Sequence, residues 1–217
     1  MIEENIDIIK IIILGSSQVG KTSIINRYIH KNFEEDMLSS IGVDFVPKYF
    51  KFGEEKIQVN FIDTAGQERF KSISRNYLKG ADGALLVFDI TKKDTFDLIQ
   101  SWIDTINENN NKNIGKIIFG NKSDLSEKRT VSKEEAEELA QNLGLKYYES
   151  SAKTGENIEE VMNEIARKTY EYFKESKDIR RKESLKITKD NHNKEEKKKE
   201  MLLTYRIFFL YKYSIFF

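Results

Sequence analysis

From residue 6 to about residue 174, short apolar runs alternate with longer stretches in which apolar positions recur every three or four residues. "IDIIKIIIL" (6–14) is β-branched and too short for a free-standing helix, so it predicts a buried strand. In "VGKTSIINRYIHKNF" (19–33) the apolar side chains Ile24, Ile25, Tyr28 and Ile29 fall at helical spacing. "VDFVPKYFKF" (43–52) and "KIQVNFI" (56–62) flank a short polar link and predict a hairpin, with Pro47 marking the first as an edge strand. "GALLVFDI" (83–90), "GKIIFGN" (115–121) and "KYYES" (146–150) supply three more strands. Helical patterns lie between them at about 95–109, 132–143 and 155–174, the second opened by a capping box of Ser132 and Glu135. Strands alternating with helices predict an α/β domain around a mostly parallel sheet, with one antiparallel strand from the hairpin.

Candidate chemistry sits where strands give way to loops. Strand 6–14 runs directly into "GSSQVGKT" (15–22) and then into a helix, the context that makes a Gly-x-x-x-x-Gly-Lys-Thr string a phosphate cradle. Backbone N–H groups of such a loop surround a β-phosphate, and the following helix directs the positive end of its dipole to the same place. Gly15 and Gly20 allow the tight path, Lys21 neutralises phosphate oxygens, and Thr22 offers a hydroxyl to Mg²⁺. Strand 56–62 ends in "DTAGQERF" (63–70), where Asp63 can hold Mg²⁺ through water, Gly66 can bring an N–H to a γ-phosphate, and Gln67 can orient an attacking water. "NKSD" (121–124) follows the strand at 115–120. The Asp124 carboxylate suits guanine, which offers two donors at N1–H and the 2-amino group, whereas adenine would leave it unsatisfied. In "SSAK" (150–153) the backbone around Ala152 can approach guanine O6 and Lys153 can cover the base, while Asn121 ties the loops together. "NKSD" thus argues against an ATPase.

These four elements, in this order, make the chain resemble a small GTPase of the Ras superfamily over about residues 7–174. "IGVDF" (41–45), "RF" (69–70), "NYLKGA" (76–81) and "LVFDIT" (86–91) narrow the resemblance to the Rab family. The resemblance implies a P-loop GTPase domain at 5–174, a three-layer sandwich with a six-stranded, mostly parallel sheet flanked by helices. It implies GTP/GDP and Mg²⁺ as ligands and slow intrinsic hydrolysis, about 10⁻⁴ s⁻¹ where no arginine finger is supplied. Nucleotide contacts carry over to Gly15, Ser17, Gln18, Val19, Gly20, Lys21, Thr22, Ser23, Phe33, Ser40, Asp63, Gly66, Asn121, Lys122, Asp124, Ser151, Ala152 and Lys153. Thr22, Ser40 and Asp63 carry over as the Mg²⁺ set and Gln67 as the catalytic residue. Residues 33–45 and 63–78 correspond to the two switches. Effectors would meet Ile41, Phe45, Ile62, Phe70 and Tyr77, and an exchange factor and a GAP are implied for a monomer serving vesicle-mediated traffic.

The chain departs from the family at three of these positions. Ser40 replaces the usual Thr, keeping the hydroxyl and losing a methyl. Gln18 stands where a small residue is common, so its side chain must project away from the phosphates. Ile62 replaces a Trp that effectors read. Read as an exposed apolar spot, it points to altered partner choice, with simple repacking as the alternative. Gln18 and Ser40 also leave open a nucleotide-locked scaffold that binds partners without cycling, against which Gln67 argues.

Charge changes the picture at the C-terminal end. Formal charge balances at 36 basic and 36 acidic residues, but residues 176–217 hold 12 Lys/Arg against 6 Asp/Glu, leaving the body acidic. An acidic body argues against a nucleic-acid partner. The basic stretch fits either a solvated linker or an anionic membrane surface. Residues 175–200 read as a charged linker, disordered or a fraying helix, and 201–217 as an aromatic tail foreign to the family. The chain has no cysteine, which excludes disulfides and every prenyl or acyl-thioester anchor on it. An acidic N-terminus with no basic flank makes cytoplasmic the default, with peripheral attachment to the cytosolic face of an endomembrane as the family's implication. For "MLLTYRIFFLYKYSIFF", broken by Arg206 and Lys212, three readings stand: a segment lying in a membrane interface, a fold-back onto the domain, or translated non-coding sequence in place of the true end.

Overall fold

The computed structural model describes residues 6–33, 44–64, 77–109 and 113–182, together with 195 and 201. The chain divides into two compact units, residues 1–173 and 174–217. In the first unit the described elements are β1 (Asp7–Leu14), α1 (Lys21–His30), β2 (Asp44–Phe52), β3 (Glu55–Asp63), β4 (Gly83–Asp89), α2 (Lys93–Asp97), α3 (Ile99–Asn109), β5 (Gly115–Asn121), a 3-10 turn (Ser123–Lys128), α4 (Lys133–Asn142) and β6 (Lys146–Glu149). A last helix, α5, starts at residue 158. In the second unit residues 174–182 are helical, and among its described residues no helix is long and apolar enough to cross a membrane.

The sheet order is β2-β3-β1-β4-β5-β6. Only β2 runs antiparallel, paired along its whole length with β3 from Asp44↔Asp63 to Phe52↔Glu55. Every other neighbouring pair is parallel. Pro47 lies on β2 at the sheet edge, the place in a sheet where a residue without an N–H is tolerated. β4 is buried at all seven positions, as a central parallel strand covered on both faces must be.

Two apolar layers sandwich the sheet. One joins Ile9, Ile11 and Ile13 of β1 to Ile24, Ile25 and Tyr28 of α1 and to Val161, Met162 and Ile165 of α5. The other joins Ile12 and Leu14 to Phe96 of α2, Ile99, Ile103 and Ile106 of α3 and Ala136 and Ala140 of α4. Alternation along β1 sends odd residues to one layer and even residues to the other, the period-2 rule of strands. β1 is also where the strand order reverses, since the chain forms β2 and β3 on one side of it and then β4 on the other. A crevice opens at the carboxyl ends of the strands at such a point.

Three boundaries differ from the sequence pattern. The helix expected at 95–109 is two helices, interrupted at Leu98, and starts earlier. The Thr95 hydroxyl takes the Asp89 N–H at 3.0 Å and donates to Lys92 O at 2.7 Å, which pins the first turn to the end of β4. α5 starts at 158 rather than 155 because Gly155 (φ 87°) and Asn157 (φ 55°) hold the preceding turn in left-handed conformations. In the second unit residues 174–182 are helical although the apolar periodicity has faded there, in a stretch read as a disordered or fraying-helix linker. At α4 the Ser132 hydroxyl accepts the Glu135 N–H at 3.1 Å, as a capping box requires, but the Glu135 carboxylate pairs with Lys93 of α2.

One assignment is corrected. Ile62 is not an exposed apolar spot: it is 1% exposed, on an interior strand between β2 and β1, and packs with Ile12 and Leu78. It fills the layer beneath the surface, which removes the exposed apolar patch on which the altered-partner reading was based.

Candidate functional site

β1 ends at Leu14, and the chain turns through Gly15–Gly20 into α1. The turn needs glycine at both ends. A Cβ on Gly15 would lie 2.1 Å from Val87 O, and one on Gly20 would lie 2.4 Å from Asn121 Nδ2. Gln18 takes φ 64°, a left-handed conformation that disfavours side chains. Its side chain is exposed, and its Oε1 accepts from Lys92 Nζ at 3.5 Å. No side chain caps the start of α1, so its first-turn N–H groups face the loop.

Lys21 is 4% exposed, and its ammonium donates to Gly15 O and Ser16 O, both at 2.8 Å. The same cation can swing to phosphate oxygens at the loop mouth. Thr22 Oγ1 donates to Asp63 Oδ2 at 2.5 Å, joining the first turn of α1 to the tip of β3. Thr64 Oγ1 donates to Ile13 O at 2.7 Å and fixes that tip against β1. A hydroxyl and a carboxylate meeting this closely are hard oxygen donors, the set that suits Mg²⁺.

At the other end of the loop, Asn121 holds two neighbours at once. Its Nδ2 donates to Val19 O at 2.8 Å, and its Oδ1 accepts the Ala152 N–H at 3.1 Å. Ser151 Oγ donates to Asp124 Oδ1 at 2.5 Å, and the Ser123 N–H donates to Ser150 O at 3.0 Å. A cavity of about 360 Å³ lies between these loops. It is lined by Gln18, Gly20, Ser23, Phe33, Asn121, Lys122, Asp124, Leu125, Ala152 and Lys153, so of its lining only Leu125 is absent from the residues singled out in the sequence. Leu125 follows "NKSD" directly and carries no motif signal. Ser40, Gly66 and Gln67, with Ile41 and Phe70, lie outside the described residues.

The surroundings hold three groups that sequence reasoning missed. Asp89, 1% exposed at the end of β4, pairs with Lys122 Nζ at 2.7 Å and accepts from Thr91, so it anchors the "NKSD" lysine. Arg27 of α1 donates from Nε to Ala152 O at 2.8 Å. Glu149, at the end of β6, forms a two-point pair with Arg129, both bonds at 2.8 Å, and accepts from Tyr147 Oη at 2.6 Å. Burial pushes the Glu149 carboxyl up, but the Arg129 and Tyr147 hydrogen bonds outweigh it and hold the group below the usual carboxylate range. The contacts of Asp89 with Lys122, Arg27 with Ala152 and Glu149 with Arg129 have no local sequence signal, because each joins residues 20 or more apart in the chain.

Comparison with known proteins agrees with this geometry. Residues 10–171 match the model of the Ras family. The chain is 41% identical over 158 residues to Ras-related protein Rab-13 of Mesocricetus auratus, covering 73% of this chain and 78% of that one. It is 42% identical over 158 residues to Ras-related protein Rab-8B of Homo sapiens, covering 73% and 76%. The match spans both ends of the nucleotide crevice, from Lys10 on β1 to the helix after "SSAK". The chain therefore belongs to the Ras family, as a Rab-like regulatory GTPase that binds GTP and GDP with Mg²⁺, hydrolyses GTP and acts in membrane traffic.

Proposed function

We propose a residue-level division of labour for this activity. Asp124 reads the purine N1–H and 2-amino group, and the "SSAK" loop meets O6. Lys21 and the amides of the loop at 15–20 hold the phosphates. Thr22, Asp63 and Ser40 hold Mg²⁺, which when bound neutralises charge on the β- and γ-oxygens. Gly66 meets the γ-phosphate and Gln67 orients the attacking water. The observation that carries this reading is the pair of hydrogen bonds at Asn121, donated to Val19 O and accepted from Ala152 N–H, which closes the phosphate loop and the base loop around one cavity.

Ordering of residues 33–45 and 63–78 by the γ-phosphate would supply the switch. Phe45, half exposed, packs against Tyr77 with ring centroids 5.8 Å apart, and this pair supports an effector surface there. Ile41 and Phe70 complete that surface. The protein acts as a monomer, with an exchange factor and a GAP as regulators, at the cytosolic face of an endomembrane.

Asp124→Asn tests the base assignment. Guanine loses a charge-assisted bond to its 2-amino group, worth about 1.5–3 kcal/mol, so GDP affinity falls roughly 10- to 150-fold. Xanthosine diphosphate, with an oxygen at position 2, gains a donor from the new amide. Calorimetry showing unchanged GDP affinity would overturn the assignment.

A further inference from the structure

Arg27 does not line the cavity, and no motif in the sequence marks it, yet its guanidinium meets three parts of the site's frame. Nε donates to Ala152 O at 2.8 Å, one terminal nitrogen donates to Lys153 O at 2.5 Å, and the other donates to Lys31 O at 3.1 Å. The ring of Phe33 lies 6.0 Å from the guanidinium carbon, within cation–π range. Ala152, Lys153 and Phe33 all line the cavity. Lys31 is the left-handed residue that ends α1 and starts the path to Phe33.

The Ala152 backbone is therefore held from two directions. Asn121 Oδ1 holds its N–H from inside, and Arg27 holds its carbonyl from outside. With both peptide units around one Cα fixed, the loop backbone is held in one orientation at the cavity wall. The guanidinium suits this task because its rigid fork reaches several carbonyls in one plane, whereas an ammonium is a point charge on a flexible stem.

We propose that Arg27 is a positioning residue for the purine. By clamping the Ala152 and Lys153 carbonyls and the end of α1, it sets the base loop against position 6 of the purine and couples it to Phe33. Nucleotide residence time and recognition at position 6 thus depend on a side chain that touches neither. The inference rests on the base-site reading given under Proposed function.

The test compares release of fluorescent GDP and fluorescent 6-thio-GDP from the full chain and from Arg27→Ala and Arg27→Lys. The thio group is a weaker acceptor at position 6 only, so the ratio of the two release rates reports contact there. Arg27→Ala is expected to release GDP at least tenfold faster and to bring the ratio towards one. Arg27→Lys, which keeps charge and stem, is expected to release GDP at an intermediate rate with the ratio still reduced. If Arg27→Ala does not fold, the lysine variant alone decides. GDP release within twofold of wild type overturns the proposal. So does faster release with an unchanged ratio, which would mean that Arg27 merely braces the fold. Failure of the wild-type chain to bind GDP would instead sink the base-site reading itself.

Discussion

At Gly20 the demands of backbone and site coincide. Its φ of 98° lies in a region that L side chains rarely adopt, and a Cβ would stand 2.4 Å from the Asn121 amide. That amide is the link between the phosphate loop and the base loop. Gly20→Ala must therefore strain the turn and push Asn121 off Val19 O at once. Backbone strain of this kind costs of order 1–3 kcal/mol, and a lost buried hydrogen bond adds about 1 kcal/mol. The expected outcome is a loss of GDP affinity of at least tenfold by equilibrium titration, with the fold retained by circular dichroism. Affinity within threefold of wild type would show that the Asn121 link is dispensable. Gln18, two residues earlier, shows the opposite solution: a side chain is accepted in the left-handed region because it points to solvent and Lys92.

Among the described strands β6 is the shortest, four residues at the sheet edge, and it delivers the chain into "SSAK". Its ladder to β5 is short, so side chains brace it. Glu149 binds Arg129 and Tyr147 through its carboxylate, and its carbonyl accepts from Asn157 Nδ2 at 2.9 Å. Arg129→Ala leaves a part-buried carboxylate short of its cation and should cost about 1–3 kcal/mol at neutral pH. The pH dependence has a definite sign. The folded Glu149 carboxyl sits below its unfolded value of about 4.3, so its contribution is present above that pH and fades as pH falls through the folded value. Urea melts should accordingly show a gap between wild type and Arg129→Ala that is widest near pH 7 and narrows below about pH 4. A gap independent of pH would assign the effect to packing rather than to the ion pair.

For the whole molecule, the crevice between phosphate loop and base loop links ligand binding to folding. Its walls come from α1, the 3-10 turn and the loops after β1, β5 and β6, so a bound nucleotide bridges much of the sequence. A ligand that binds the native state alone stabilises it by mass action, about 2.7 kcal/mol at a free concentration of 100 times Kd. For a domain of this size that corresponds to a rise in Tm of roughly 5–11 °C. Differential scanning fluorimetry should show that rise with GDP and Mg²⁺, and chelation of the metal should remove part of it. ATP at the same concentration should leave Tm near the value without ligand. An equal shift with ATP would contradict guanine selectivity.

The local pattern of this chain was enough to place six strands, the parallel sheet with its antiparallel edge and, among the described residues, the loops at 15–22, 121–124 and 150–153. Each is written in contiguous residues, as an apolar run, a helical spacing or a motif at a strand end. Nine of the ten residues lining the cavity were named in advance, most from the loop motifs and Phe33 and Ser23 from the family resemblance. Tertiary structure alone decided what depends on partners distant in sequence. Ile62 looked like an exposed spot until β1, β2 and Leu78 covered it. The helix before β5 starts early because Thr95 bonds to the end of β4. Asp89, Arg27 and Glu149 became part of the site's frame through Lys122, Ala152 and Arg129, at separations that no window of sequence contains. Periodicity reports which face of an element is buried, but which polar groups meet is settled only when the elements pack.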